Sequence, residues 1–498
     1  MAILVRIGTF ATALLTLAGC SLTPTMSTPD AEQDLPATYA AASADTLLPA
    51  AARDTARYEA TRWWTDFGDP TLNALIDTAL VGNLDLEAAR ARLEELQAQY
   101  RIARAPLFPS ATASGTGQRQ SQPANTGIGG AIGGGGADGF PDRFSFTTYS
   151  ASLGLSYELD FWGRVRSQKN AALSQFFATA ADVQNTRLAV ISQTISTYFQ
   201  TVTLARQVQL GARDVELLRE RLAITEARYD RGLVPSFELY SVRQQLDQAR
   251  ADQPTLESQR FDAQSRLAVV LGRLAGDEAA LLDDTAPDAL ALDPIPAGLP
   301  SDLLMRRPDV MAAAARLEAT RQQIGVARAN LLPRLSLTAE GGVQSSDLSD
   351  LLDVDQRFSS LIANLTAPLF QGGALRAEVD AAAARYRQQV ATYEGTLLTA
   401  FREVQAALVA YQQQQRRYER VQSQRAAAVA TAQNQRDRYE RGLGDALALL
   451  DAEQNLVQVR QRLATAAQAL IEARLAVHRA LGGPWTDAPP PDDPRLLQ

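Results

Sequence analysis

Few side chains in this chain of 498 residues are of a kind that does chemistry, and the most pointed is its one cysteine. Cys20 closes Leu17-Ala18-Gly19-Cys20, behind Arg6 and an apolar run from Ile7 to Leu17. A charged start, an apolar run too short to span a bilayer and small residues at its end describe a secretory signal peptide. The last four residues fit a bacterial lipoprotein processing site, at which the cysteine becomes the first mature residue and is acylated. An ordinary signal with an unrelated cysteine is the alternative. Several acyl chains hold a bilayer far more tightly than one, so a lipidated Cys20 is a lasting tether. Ser21 follows the cysteine where an aspartate does not, which in such lipoproteins resembles an outer-membrane address. With no second cysteine, no intramolecular disulfide can form.

Enzymatic chemistry has little to work with. His478, the single histidine, falls late in an apolar helical pattern and reads as a core residue. No metal-ligand cluster and no Cys or His base for a nucleophile is present, so the chain reads as a non-enzyme with no cofactor beyond a covalent lipid on Cys20. A net charge of −8 and a pI of 5.1 exclude the basic face that nucleic acid would need.

The elements that must position anything of interest are long helices. From Ala374 to Glu440, Leu397, Phe401, Val404, Leu408 and Tyr411 step by fours and threes, the seam of a helix packed lengthwise on another. After Arg441-Gly442-Leu443-Gly444-Asp445 the rhythm returns through Leu456, Val459, Leu463, Ala466, Leu470, Ala473 and Val477. At ~1.5 Å per residue the outgoing arm spans on the order of 100 Å, which calls for a bundle or tube rather than a compact core.

The body repeats itself. The stretch from Asn83 to Pro109 aligns with that from Arg307 to Pro333 at an offset of 224, carrying Leu93-Glu94 and Ala103-Arg104-Ala105 onto Leu317-Glu318 and Ala327-Arg328-Ala329. Arg228-Tyr229-Asp230-Arg231-Gly232-Leu233 aligns with Arg438-Tyr439-Glu440-Arg441-Gly442-Leu443 at an offset of 210. Order and spacing kept over two distant blocks predict two halves of one fold. Each half is expected to hold helix, strand, loop, strand, long helix, turn and shorter helix. Asp69 caps a helix near 71–81 with Pro70 in its first turn, a second runs over about 84–105, and Pro308-Asp309 opens its counterpart.

From Tyr149 to Phe161 every odd residue is apolar or aromatic and every even one small or polar. Thirteen residues of alternation exceed the ~9–11 that a tilted membrane strand needs. The pattern recurs from Leu335 to Val343 and from Leu361 to Ala367, whereas a strand near 110–118 is inferred from the repeat. A half-buried soluble sheet alternates in the same way. Four strands cannot close, and an open edge in lipid strands backbone groups at several kcal/mol each, so copies of the chain must share a barrel. An eight-stranded barrel fills with its own side chains and more strands leave a lumen, so a pore favours three chains. The glycine-rich stretch Gly127 to Gly139 lacks the Gly-Lys-Ser/Thr and helix of a phosphate loop and fits a loop at the outer mouth.

Trp64-Thr65-Asp66-Phe67-Gly68-Asp69-Pro70, Arg306-Arg307-Pro308-Asp309 with Ile324-Gly325-Val326-Ala327-Arg328-Ala329, and Arg438 to Gly442 with Leu449-Leu450-Asp451-Ala452 together resemble the outer-membrane factors of tripartite efflux systems. The likeness is to the lipoprotein (NodT-type) branch serving resistance-nodulation-division pumps, over nearly all the chain after Cys20. It implies a mixed α and β membrane protein: a homotrimer with a 12-stranded β-barrel, four strands per chain, continued by a periplasmic α-helical barrel. Its partners would be a periplasmic adaptor and an inner-membrane pump, and its work passive conduction of small molecules. The implied segments are a signal peptide 1–19, a lipidated linker 20–57, a first repeat 58–272 and an equatorial connection 273–300. A second repeat 301–483 and a tail 484–498 follow. Within the repeats, strands fall near 110–118, 145–161, 334–344 and 358–368, long helices at 164–230 and 374–440, and return helices at 235–271 and 445–481. By position Leu447 and Asp451 match an apolar and an acidic constriction ring, and three carboxylates about one axis would raise one another's pKa and attract cations. Some relatives place an arginine one turn past the aspartate; here Gln454 stands there, which weakens the case for an ion-pair latch. The turns at Arg231, Gly232, Leu233 and Arg441, Gly442, Leu443 are the expected adaptor contacts. A duct for secreted proteins and a periplasmic coiled-coil spacer are the rival readings.

Overall fold

A computed structural model describes residues 22–25, 62–123, 143–274 and 301–483. Cys20 with its signal peptide, most of the expected linker, the glycine-rich stretch 127–139, nearly all of the equatorial connection and the tail lie outside the described residues. The elements in chain order are α1 (Pro70–Gly82), α2 (Leu84–Arg104), β1 (Ser110–Pro123), β2 (Arg143–Leu159), α3 (Arg164–Asp230), α4 (Ser236–Val270), α5 (Pro308–Ala329), β3 (Arg334–Ser345), β4 (Arg357–Thr366), α6 (Ala374–Glu440) and α7 (Ala446–Ala480). From α2 onward one order of helix, strand, strand, long helix and shorter helix runs twice, α1 having no α-helical counterpart before α5, and α3 and α6 are both 67 residues and α4 and α7 both 35.

The chain forms two compact units, one of Met1–Ser27, Glu95–Phe176 and Arg316–Val390, the other of Thr28–Glu94, Phe177–Ala315 and Ala391–Gln498. The first holds an antiparallel sheet in the order β1-β2-β3-β4, so β1 and β4 are its edges. Its register puts Ala111, Leu155, Ala339 and Leu361 in one row and Ser110, Ser156, Thr338 and Ile362 in the next, on opposite faces. Leu153, Leu155, Leu361 and Leu365 are exposed on the apolar face. A half-buried soluble sheet would cover that face, which the described residues of this chain leave open.

The strand bounds differ from expectation by up to five residues, and two of the shifts have local reasons. β2 stops at Leu159 because Asp160 turns to the start of α3, accepting from the Val165 amide at 3.0 Å and the Arg166 amide at 2.9 Å. β1 runs to Pro123, past the expected 118, because β2 starts at Arg143 and the ladder continues through Gln120–Phe146 to Pro123–Arg143. Beyond Tyr149 the polarity reverses: Thr147, Ser145 and Arg143 continue the apolar face, and Phe146 stands on the polar one.

The second unit is a helical body. Trp63, Trp64, Leu72, Leu75 and Ile76 pack with Leu188, Ile191 and Ile195 of α3, Leu267 of α4 and Ile471 and Leu475 of α7. His478 is buried here, stacked on Trp63 at 4.2 Å between ring centres. Burial, then the charge of Arg474, pushes its pKa down to about 3. Asn83 donates to the last carbonyl of α4, Val270, at 2.9 Å, and Arg307 to the last of α7, Ala480, at 2.6 Å. Arg307 also holds Asp309 at 2.7 Å and Glu403 at 2.9 Å. Burial opposes its charge, but bonds and charges from both carboxylates raise its pKa further. The Arg-Pro-Asp block thus closes one helix while opening another.

Candidate functional site: the turns of the long helices

Both turns have one geometry. Gly232 and Gly442 take φ of 71° and 69°, left-handed values that glycine adopts without strain. Each amide returns to a tyrosine carbonyl, Gly232 to Tyr229 at 2.8 Å and Gly442 to Tyr439 at 2.9 Å, and Leu233 and Leu443 bond the carbonyls of Arg228 and Arg438. Both leucines are about two-thirds exposed, at 68% and 69%. The first turn adds exposed Phe237 and Tyr240. After the second, Asp445 caps α7, accepting from the Leu447 amide at 3.4 Å, and Arg228 reaches the same carboxylate at 3.4 Å. The structure therefore ties the end of α3 to the start of α7.

Leu447 is half-buried against Leu210, Leu217, Leu450, Val457 and Ile224. Asp451 is exposed, yet Arg221 of α3 donates to it and, at 3.2 Å, to Gln454. The arginine that sequence reasoning sought one turn along α7 is supplied from α3, beside the glutamine that seemed to leave it missing. A second pair lies one step deeper. Glu453, only 12% exposed, accepts from Arg213 of α3 at 2.9 Å and Arg436 of α6 at 2.5 Å. Burial pushes its pKa up, but the two guanidinium bonds outweigh burial and hold it below the usual carboxylate range. Burial raises that of Asp214, against a bond from Gln454.

Sequence reasoning missed Arg213, Arg221, Arg436 and Glu453. A signal was available in the repeat. At an offset of 210, Arg436 and Glu453 match Glu226 and Arg243, the same pair with its charges exchanged, and Arg243 holds Glu226 at 2.8 Å. Arg221 and Arg213 match Thr431 and Ser423, so only one copy of the long helix carries these two arginines. Among the described residues, no group of His, Cys, Asp and Glu could hold a metal ion.

The family described as Outer membrane efflux protein matches residues 75–273 and 299–483. The chain is 33% identical over 475 residues to the toluene efflux pump outer membrane protein TtgC of Pseudomonas putida, covering 94% of this chain and 93% of that one. It is 35% identical over 408 residues to the outer membrane protein OprJ of Pseudomonas aeruginosa, 80% of this chain and 78% of the relative. The open state of the Neisseria gonorrhoeae MtrE outer membrane channel superposes with a TM-score of 0.78 at 27% identity, over 94% of this chain and 99% of that one.

Proposed function

The chain belongs to the outer membrane efflux protein family and is an outer-membrane exit duct of a tripartite efflux pump, and from that premise we propose how its own residues build the duct. Three chains join β4 of one to β1 of the next, closing twelve strands around a lumen. The observation that carries this is a four-stranded sheet with, among the described residues, two unpaired edges and an exposed apolar face. In lipid each unpaired edge group costs several kcal/mol, and pairing with another copy removes that cost without burying the polar face. The two halves, 58–272 and 301–483, act as structural repeats whose long helices continue the duct in the periplasm. Cys20 carries the lipid.

The turns carrying Arg231, Gly232, Leu233 and Arg441, Gly442, Leu443 meet a periplasmic adaptor through their exposed leucines, and the adaptor joins the duct to an inner-membrane resistance-nodulation-division pump. Leu447 and Asp451 line the narrowest point, where three symmetry-related carboxylates select cations. The duct is passive, and solutes move by the work of the pump. The test is planar-bilayer conductance of the detergent-purified trimer. Wild type should give small, cation-preferring currents, and Asp451→Ala should lose the preference. A monomeric species in detergent, or no current from either inserted protein, would overturn the reading.

A further inference from the structure

Residues 22–25, the first described residues of the expected linker, lie against α5 and the start of α3, within the first unit. Thr23 Oγ1 donates to Gln322 Oε1 at 3.2 Å and sits 3.3 Å from Ser167 Oγ. Since its one proton goes to Gln322, the Ser167 hydroxyl is the donor in the second contact. Ser167 and Gln322 are both buried, and the Gln322 amide is aimed by Glu318, which it reaches at 2.7 Å. On either side the backbone is held as well. Arg321 donates to the Pro24 carbonyl at 2.5 Å and Arg328 to the Leu22 carbonyl at 3.2 Å. Below Thr23 is Gly325, where a Cβ would stand 2.5 Å from Thr23 Oγ1 and 2.9 Å from Ser167 Oγ. Those separations are shorter than side chains tolerate, so the glycine makes the notch that Thr23 occupies.

We propose that this notch is a receptor for the residues that follow Cys20, holding the Thr23 side chain between Ser167 and Gln322 and gripping the chain on both sides. The segment is then a fixed part of the strand-bearing unit and not a leash. Cys20 is two residues before Leu22 in the sequence, so only two residues of chain separate it from a pinned carbonyl. The pinning residues flank the sheet in sequence: Arg328 precedes the first residue of β3, Arg334, by six, and Ser167 follows the last of β2, Leu159, by eight. The anchor point is thereby set relative to the strands. This use of the notch rests on Cys20 carrying the lipid, whereas the notch itself does not.

The test is disulfide trapping of the full-length protein with Thr23→Cys and Ser167→Cys, two positions whose side-chain oxygens stand 3.3 Å apart. It is run in the native chain and in one with Cys20→Ser exported behind an ordinary signal peptide. The readouts are the mass of the cross-linked peptide pair and protection of both thiols from alkylation. Both versions should lock, and adding Gly325→Val should cut the locked fraction about tenfold, the equivalent of ~1.4 kcal/mol. Val326→Ala should leave it unchanged. Should Gly325→Val fail to accumulate, Arg321→Ala with Arg328→Ala removes both carbonyl grips without adding volume and should give the same loss. Thiols that stay reduced and reactive, or locking indifferent to these variants, overturn the notch. A locked pair beside a Cys20 peptide that carries no lipid overturns the anchor and leaves the notch standing.

Discussion

Exchanging Arg436→Glu and Glu453→Arg together writes into the second half the charge order that the first half already uses at Glu226 and Arg243. Within the α6–α7 hairpin the pair should re-form with reversed sign at little cost. The neighbour does not follow, because Arg213 of α3 approaches Glu453 at 2.9 Å and would then face a cation. In the native protein the contact is a charge-assisted bond of ~1.5–3 kcal/mol, discounted to ~1 because the Arg213 side chain is 42% exposed. In the exchanged protein two like charges ~4 Å apart repel by ~1 kcal/mol in well-hydrated surroundings. Removing Arg213 therefore changes sign with background. Arg213→Ala should raise the open-to-closed ratio in single-channel recordings about fivefold in the native protein and lower it about fivefold in the exchanged one, since ~1.4 kcal/mol is tenfold. Loss of the Arg213–Glu216 contact, 2.5 Å, is common to both backgrounds and cancels in the cycle. If Arg213→Ala raises opening in both backgrounds, Glu453 does not hold α7 to α3.

Other predictions follow from the second unit and the turns. The depressed pKa of His478 means the unfolded chain binds a proton between about 6.5 and about 3 that the folded chain refuses, so stability present above 6.5 is lost as pH falls through that window. Thermal melts at pH 7 and pH 5 should differ less in His478→Phe than in wild type. Arg307→Ala leaves Asp309 and the Ala480 carbonyl without their guanidinium and should cost ~3 kcal/mol, read as a lowered helix melting temperature. Gly232→Ala and Gly442→Ala each force a left-handed alanine, costing ~1–2 kcal/mol, and should lower the melt by similar amounts because the two turns share one geometry.

What sequence made legible was whatever is written locally. The bounds of α3 and α6 come out as expected because each starts after a glycine of positive φ, Gly163 and Gly373, and ends before another, Gly232 and Gly442. The alternation of β2 showed its two faces, but β1, built of small and polar residues, offers little contrast between them and was visible mainly through its repeat. Contacts between distant stretches were not legible. Nothing in the run Leu22-Thr23-Pro24-Thr25 sets it apart from a free linker; the notch exists because Gly325 and Ser167 come together beneath it. Arg221 could not be assigned to Asp451 while it was unknown which helix lies beside α7.

That last gap explains why the site sits where the halves stop being alike. Two copies of one hairpin have identical seams, and identical seams do not specify which helix packs beside which. Ion pairs that are equal in both copies would add nothing to that choice, since every exchange of partners would preserve them. Here the pair linking the two helices of each hairpin is kept but its sign is reversed, so Glu453 attracts Arg213 whereas its counterpart Arg243 would repel it. Asp451 and Arg221 follow the same logic, their counterparts being the uncharged Ser241 and Thr431. The charges that fix α7 against α3 are therefore also the ones that must part if α7 is to move away from α3.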